Sequence, residues 1–430
     1  MRYRATRAYA VDAIYFKDDL LFCESVPLTS VAVSCNTPVY VYSSRAILDS
    51  CREIESAFGG EPHLTFYAVK ANANRQILRL IAGTGLGADV GSRGELYLAL
   101  EAGFAPEKIT FSGVGKRDDE IAYALEKNIL AYHVESLQEL DVINHIAGSM
   151  GARARVFLRV NLDIDAGGHE YISTSRKQNK FGIPADRVRD VVSRAREMSH
   201  VELNGVHSHL GSQITDVEVF LRGARALAAL VGELRGEGIA VPGLDFGGGF
   251  GVRQHGVVSH PSLPEDQTES GYLPAQEVIG KILPVLRETG CHLSIQPGRS
   301  IVAEAGTLLT KVLYRKETDG KTFVVVDGGM NDLIRPSLYN AHHQIVPLKI
   351  ADDDHETVDV VGPVCESGDF FAQGRSLPRV LRGDHLAILS AGAYGYVLSS
   401  NYNSRLRASE VLVEGNSYRV IREREKLTDL

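Results

Sequence analysis

Three things are missing from this chain, and each absence removes a class of function. Its five cysteines (Cys23, Cys35, Cys51, Cys291 and Cys365) are odd in number, widely scattered and form no Cys-x-x-Cys pair. That pattern points to reduced thiols in a cytosolic setting rather than to a disulfide framework or a zinc site. An excess of positive charge is also lacking: the formal net charge is −8 over 430 residues, which excludes a protein that grips a nucleic-acid backbone through a basic face. Long apolar runs are absent too. The most apolar helical stretch, Leu221 to Leu234, carries Arg222, Arg225 and Glu233, so it does not read as a membrane span. At the N-terminus Arg2, Arg4 and Arg7 are followed by Asp12, Lys17, Asp18 and Asp19, which interrupt any signal-peptide core. A soluble, cytoplasmic protein that contacts neither membrane nor nucleic acid is expected.

What is present is a long alternation of short apolar runs and amphipathic stretches. Ala13–Phe16, Leu20–Phe22 and Pro38–Tyr42 read as strands, with Asp18-Asp19 as a turn, and a helix follows from Ser44 to Phe58. Eight strand candidates come next: Leu64–Val69, Gly87–Val90, Ile109–Ser112, Leu130–Val134, Arg155–Val160, Val206–Leu210, Leu244–Phe246 and Leu293–Ile295. Helical patterns such as Arg75–Gly83, Gly94–Ala102, Arg117–Lys127, Ser136–Gly148, Arg187–Met198 and Val217–Gly236 lie between them. Such a series predicts an α/β fold with a (β/α)8 TIM-type barrel over residues 44–298. A doubly wound sheet is the alternative, but it does not account for polar or glycine-rich residues at nearly every strand end. After Arg299 the pattern changes. Ala305–Tyr314 and Lys321–Asp327 flank a Thr318-Asp319-Gly320 turn, a hairpin signal, and Val358–Val361, His385–Leu389 and Val411–Val413 continue as strands. Residues 1–43 and 299–430 are therefore expected to form a second, mainly β domain. Arg253–Tyr272 reads as a surface excursion, and Asp352–Glu356 as a solvated turn.

Chemistry concentrates at the strand ends. Lys70 closes Leu64-Thr-Phe-Tyr-Ala-Val-Lys-Ala-Asn72, where an amine at the mouth of strand one can anchor an aldehyde cofactor; alone, it is an ordinary solvated lysine. His207 and His209 in Val206-His-Ser-His-Leu-Gly-Ser-Gln213 share a face by strand alternation, so a metal pair must be weighed. No third ligand follows at convincing spacing, and an imidazole covering a flat cofactor is the better functional reading. Asp245-Phe-Gly-Gly-Gly-Phe-Gly251 lets backbone N–H groups approach a phosphate without a Cβ in the way. Barrel phosphate sites favour the loops after strands seven and eight. Gln296-Pro-Gly-Arg299 places an arginine where it can meet phosphate or carboxylate. Asn331-Asp-Leu-Ile-Arg-Pro-Ser-Leu-Tyr339, Cys365-Glu-Ser-Gly-Asp369 and Ala393-Tyr-Gly395 supply arginine, tyrosine, glutamate and a thiol, a set suited to a zwitterionic substrate and a proton donor.

Taken in order, Tyr67-Ala-Val-Lys-Ala-Asn72, His209-Leu-Gly-Ser-Gln213, Gly247–Gly249, Pro297-Gly-Arg299, Met330-Asn-Asp-Leu-Ile-Arg-Pro336, Cys365-Glu-Ser-Gly-Asp369 and Ala393-Tyr-Gly395 resemble the diaminopimelate decarboxylases. That family lies in the alanine-racemase-like, fold type III group of pyridoxal-phosphate enzymes. Asp165-Ala-Gly-Gly-His-Glu-Tyr-Ile-Ser173, Asn179-Lys-Phe-Gly182 and Ser399-Ser-Asn-Tyr-Asn-Ser404 extend the likeness over nearly the whole chain. The resemblance implies decarboxylation of meso-2,6-diaminopimelate to L-lysine and CO2, the last step of lysine biosynthesis. It implies catalytic roles for Lys70, which carries pyridoxal 5'-phosphate, for His209, stacked on its ring, and for Cys365, which returns a proton to the α-carbon. Cofactor binding would fall to Lys70, Asp89, His209, Ser212, Gly247, Gly248, Gly249, Gln296, Gly298, Arg299 and Tyr394. Substrate binding would fall to Arg299, Arg335, Tyr339, Glu366, Ser367 and Tyr394. No metal is implied. A homodimer is, with the β domain of one subunit supplying Cys365 and Glu366 to the partner's barrel.

One position departs from the family pattern. Gln296 stands where the family carries a glutamate that pairs with the pyridine nitrogen of the cofactor. A neutral amide can hydrogen-bond that nitrogen but supports its positive charge less well, so Gln296→Glu is expected to raise decarboxylation. Two alternatives follow from the same residues: a decarboxylase of another amino acid on this fold (ornithine, arginine or carboxy-polyamine type), or a catalytically weakened regulatory homologue.

Overall fold

The computed structural model describes residues 13–167, 178–264, 273–351 and 354–430. The chain divides into two compact units, one of Cys51–Val252 with Ser270–Ile301, the other of Met1–Ser50, Arg253–Glu269 and Val302–Leu430.

In the first unit eight parallel strands close on themselves: His63–Ala68, Gly87–Val90, Ile109–Phe111, Ala131–Val134, Ala154–Asn161, Val201–His207, Gly243–Asp245 and His292–Ile295. The last pairs with the first through Ser294 beside Leu64, which completes the barrel expected from the sequence. Several strands are buried along their whole length, because one face lines the barrel interior and the other meets helices. Polar side chains at the strand-to-helix turns start the helices. Asn74 accepts from Gln76 N at 2.9 Å, Ser136 from Glu139 N at 3.1 Å and Asp216 from Glu218 N at 2.9 Å, each satisfying a first-turn N–H. Between strands seven and eight runs the helix Ala275–Arg287, which contains Pro284; that proline masks the helix in the sequence pattern.

The second unit is mainly β. Its principal sheet runs, in spatial order, through Phe370–Pro378, His355–Val361, Lys321–Val326, Gly306–Thr318, Val39–Ser43, Ser409–Glu414 and Ser417–Arg422. The expected hairpin is present, with Thr318 opposite Lys321 and Gly320 at φ +79°. Val39–Ser43 lies between Gly306–Leu309 and Ser409–Val413, so the N-terminal segment does join this unit. Ile14–Lys17 and Leu20–Cys23 form a separate small sheet with Val26–Pro27. Leu21 and Val26 share one apolar core with Leu309, Val346 and Leu348.

Two readings need correction. His355 and Glu356 are not a solvated turn; they open a strand, and Glu356 accepts from Arg315 Nη2 at 2.7 Å. The described part of the 253–272 excursion is not confined to the surface either. Val257 and Val258 are buried in the core, and Gln344 bonds both the N–H and the carbonyl of Val258 at 2.9 Å. Residues 265–272 lie outside the described residues, as do 168–173 of the Asp165–Ser173 motif. All five cysteines are free thiols.

Candidate active site

Lys70 sits in a single 3-10 turn, Val69–Ala71, directly after the first barrel strand. Its side chain is 48% exposed, and Nζ donates to Asp89 Oδ2 at 3.2 Å. Asp89 ends strand two and is almost fully buried. Burial works to raise its pKa, but the Lys70 charge and hydrogen bonds from His133 and Ser112 more than offset this and hold it well below the usual carboxylate range. The loop after strand eight is pressed against the Lys70 turn. Ala68 N donates to Pro297 O at 3.0 Å, and a Cβ on Gly298 would stand 2.9 Å from Ala68 Cβ and 3.1 Å from Ala71 Cβ.

The glycine run after strand seven is built for close approach. Gly247 and Gly249 have φ +70° and +96°. A Cβ on Gly248 would fall 2.1 Å from the Gln296 carbonyl, and one on Gly249 2.5 Å from that of Gly211. Only glycine fits there. Two of the N–H groups read from sequence as phosphate donors are engaged within the protein, however: Gly247 N with Asp245 Oδ1 at 2.8 Å, and Gly248 N with His209 Nδ1 at 3.1 Å. That second bond makes His209 Nδ1 an acceptor and puts the ring proton on Nε2. Desolvation, then the charges of Arg159 and Lys70, lower the His209 pKa to about 3, so this imidazole is neutral. Ser212 and Arg299 come together, with Nη2 donating to Oγ at 2.8 Å. A lysine amine at the mouth, a hydroxyl–guanidinium pair and a loop without side chains fit an aldehyde that also carries a phosphate.

Beneath this surface lies a polar layer that the sequence reading did not assemble. Ser112 Oγ donates to Asp89 Oδ1 at 2.5 Å and lies 2.9 Å from His133 Nδ1. His133 Nε2 is 3.3 Å from Asp245 Oδ2, and Gln296 Nε2 donates to that same oxygen at 3.0 Å. His207 does not pair with His209 as a ligand set. Its ring lies 4.2 Å from that of His133, with neither nitrogen hydrogen-bonded among the described residues. Desolvation and the His133 charge push its pKa well down. The one available signal for this layer was His133 in the otherwise apolar strand Ala131–Val134.

The remaining residues belong to the β unit. Asp369 accepts from Met330 N and Val364 N, both at 2.6 Å, and Ser337 Oγ donates to Gly368 O at 2.5 Å. These bonds bring the Asn331–Tyr339 and Cys365–Asp369 motifs together. Ser400 N donates to Asn331 O at 2.9 Å, which draws in the segment after Tyr394, itself at φ +56°. Cys365, Glu366 and Ser367 are exposed, and Asn403 Oδ1 accepts from Cys365 N at 2.7 Å. Arg335 is buried, with Nη1 3.2 Å from His343 Nε2. His343 Nδ1 meets Leu389 O at 2.7 Å, so Nε2 is the acceptor. Tyr339 ends the short helix Arg335–Tyr339 and is partly exposed. Among the described residues no three metal-ligating side chains cluster, and no helix is long and apolar enough to cross a membrane.

A closed barrel with this lysine, phosphate-type cradle and added β unit defines a pyridoxal-phosphate-dependent decarboxylase, and the family described as "Pyridoxal-dependent decarboxylase, pyridoxal binding domain" matches residues 44–303. The diaminopimelate decarboxylase of Pseudomonas aeruginosa is 45% identical over 420 residues, 98% of either chain. The crystal structure of diaminopimelate decarboxylase from Helicobacter pylori, complexed with L-lysine, matches with a TM-score of 0.86 at 41% identity, covering 94% of this chain and 98% of that one. A lysine/ornithine decarboxylase from Vibrio vulnificus, complexed with putrescine, matches with a TM-score of 0.76 at 21% identity over 90% of this chain and 97% of its own, a likeness of fold alone. The chain belongs to the diaminopimelate decarboxylases.

Proposed function

We infer that this chain decarboxylates meso-2,6-diaminopimelate to L-lysine and CO2 with pyridoxal phosphate held on Lys70, as the last step of lysine biosynthesis. The observation that carries the reading is the Lys70–Asp89 pair at the mouth of a closed barrel, in a chain 45% identical to a diaminopimelate decarboxylase over 98% of its length. Bound there, pyridoxal phosphate supplies the electron sink for loss of CO2 from an amino acid.

The chain's own residues do the rest. Lys70 would hold the aldehyde of the cofactor through its amine. Neutral His209, fixed by the Gly248 N–H, would lie against the cofactor without adding charge. Ser212 and Arg299 would hold the phosphate beside Gly249 and Gly298, while Gly247 and Gly248, whose N–H groups are engaged elsewhere, would keep its approach clear of side chains. Asp89 orients Lys70, and Gln296 with Tyr394 completes the cofactor surround. Arg299, Arg335 and Tyr339 take carboxylate, Glu366 and Ser367 take the distal ammonium end, and Cys365 delivers a proton to the α-carbon. The exposure of Cys365, Glu366 and Ser367 suits residues that serve a second copy of the chain, and the enzyme works as a cytoplasmic homodimer with two shared sites.

The test is CO2 release from a panel containing meso-diaminopimelate, lysine, ornithine and arginine, with the stereochemistry of the product read out. L-lysine from the meso substrate is expected. Preference for a substrate without the distal carboxylate would overturn the assignment.

A further inference from the structure

A reversal of the chain brings Arg335 against His343. The short helix Arg335–Tyr339 ends on Asn340, which takes a left-handed conformation at φ 49°, ψ 36°, one that asparagine tolerates better than most residues. The chain then turns back, and Ala341 N donates to Arg335 O at 3.3 Å. His343 follows, fully buried, just before the strand Ile345–Pro347. Its backbone is held on both sides: Arg375 Nη1 donates to the His343 carbonyl at 2.9 Å, and Leu389 N donates to that of Gln344 at 2.9 Å. The ring meets two groups whose roles are fixed by their chemistry. Nδ1 lies 2.7 Å from Leu389 O, and a carbonyl oxygen only accepts, so Nδ1 carries a proton. Nε2 lies 3.2 Å from Arg335 Nη1, and a guanidinium nitrogen only donates, so Nε2 keeps its lone pair. One ring proton satisfies both contacts, and a second would set N–H against N–H. His343 is therefore a neutral imidazole with its proton on Nδ1.

We propose that His343 is a positioning residue: its neutral ring fixes the Arg335 guanidinium to receive a substrate carboxylate, and does so without offsetting the guanidinium charge. The proposal rests on the reading of Arg335 as a carboxylate ligand. An arginine side chain turns about several bonds, and freezing it costs entropy that substrate binding must otherwise supply. Because the guanidinium is planar, holding Nη1 restricts the whole fork before substrate arrives. The kind of acceptor matters as much as its place. A carboxylate in place of the imidazole would bind the guanidinium more strongly and compete with the substrate for it. An uncharged acceptor leaves the positive charge to the incoming carboxylate. The same ring reaches Leu389, directly after the strand His385–Ile388, on the segment that leads to Tyr394. One side chain thus ties two expected substrate contacts, Arg335 and Tyr394, to a common frame. His342 has no share in this: its ring takes Arg375 Nη2 at 3.0 Å and stacks on His255 at 3.5 Å.

Two readouts on the full-length holoenzyme test it: steady-state kinetics with meso-diaminopimelate, and calorimetric binding of pimelate, the dicarboxylate of the same chain length with no amine to react. His343→Leu fills the space without an acceptor. It should raise KM and the pimelate Kd about tenfold, the scale of one hydrogen bond to a charged group, and leave kcat within about twofold. A merely structural defect would lower the active fraction and kcat instead. His343→Gln, which again offers a neutral oxygen, should recover most of the affinity. His343→Glu should not, because its charge would hold Arg335 against the substrate. In an Arg335→Met background, His343→Leu should change neither constant further. A fall in kcat at unchanged KM overturns the proposal, as does equal recovery by His343→Gln and His343→Glu or an effect that persists without Arg335. Neutron diffraction on the parent protein should place deuterium on His343 Nδ1 and none on Nε2. A ring deuterated on both nitrogens overturns the proposal even if every variant fails to fold. A parent that binds pimelate in this His343-dependent way but releases no CO2 from meso-diaminopimelate would sink the proposed function and leave the positioning role standing.

Discussion

In the barrel unit, the buried carboxylates Asp89 and Asp245 face mainly side-chain partners, Lys70, Ser112, His133 and Gln296, with the Gly247 N–H also donating to Asp245. Two buried carboxylates of the β unit, Asp332 and Asp369, face backbone N–H groups instead, those of Gly329, Met330 and Val364, whereas Glu410 there pairs with Tyr42 and Arg422 side chains. The contrast separates two uses of the same functional group. Carboxylates tied to titratable side chains set one another's protonation, so changing one member retunes the others. Carboxylates tied to the backbone hold loops in place, and removing one loosens the chain. Asp89 and Asp245 are therefore expected to answer mutation mainly in cofactor chemistry, and Asp332 and Asp369 mainly in stability.

The strongest way to break this contrast is at Lys70. Lys70→Ala should abolish borohydride-stable attachment of pyridoxal phosphate and lower CO2 release by about 10³-fold or more. Its thermal midpoint without cofactor should remain near that of the parent, since the side chain is half exposed. A large loss of stability with attachment retained would place Lys70 on the structural side instead.

Asp369→Ala tests the other half. It strands the buried N–H of Val364 and the half-buried N–H of Met330, at about 1–3 kcal/mol for the buried one and less for the other, so an unfolding cost of about 1–4 kcal/mol is expected by denaturant titration. Pyridoxal trapping at Lys70 should persist wherever the variant is folded. Trapping lost in step with stability would mean that the two sets of carboxylates do not divide their roles in this way.

Gln296→Glu sharpens the picture inside the barrel and revises an expectation drawn from sequence. A glutamate at this position would face more than the cofactor. Gln296 Nε2 donates to Asp245 Oδ2 at 3.0 Å, and a carboxylate there would set oxygen against oxygen. Buried like charges raise one another's pKa, so the introduced carboxyl would hold a proton in the folded state that it lacks when unfolded. The variant should lose about 1–3 kcal/mol relative to the parent as pH rises from about 5 to 8. Guanidinium unfolding at both pH values measures the difference. A pH-independent gap would count against the Asp245 contact.

How much of this was legible beforehand follows from where the contacts lie. Lys70, the Gly247–Gly249 run and Arg299 announce themselves because strand-end position and residue type suffice to find them. Asp89, Ser112, His133, Asp245 and Gln296 come from five different strand ends, and closure of the barrel makes them neighbours. No local spacing in the sequence encodes that. In the β unit, the hairpin around Gly320 was plain from its turn residues. Phe370–Pro378 was not, because register shifts against His355–Val361 break its alternation. Ser417–Arg422 is a polar edge whose exposed face gives no apolar period.

Asp332 offers the mildest test, and it probes the β unit with pH rather than with loss of contacts. Burial raises its pKa from 3.8 to about 7, against a lowering from the Gly329 N–H and the charges of Arg405 and Arg424. Oδ2 accepts from Gly329 N at 3.0 Å, whereas Oδ1 is buried with no hydrogen-bond partner among the described residues. A carboxyl whose pKa is higher folded than unfolded binds more protons in the folded state. Its contribution is most favourable below the unfolded value and is lost as pH climbs towards about 7. Asp332→Asn keeps an acceptor for Gly329 N and removes the charge. The variant should match the parent near pH 4, exceed it by about 1–2 kcal/mol above pH 7, and show a flatter stability profile between. A parent profile that does not fall over this range would show that Asp332 stays ionised with partners beyond the Gly329 N–H, and would move it to the side of Asp89, among carboxylates governed by neighbouring charge.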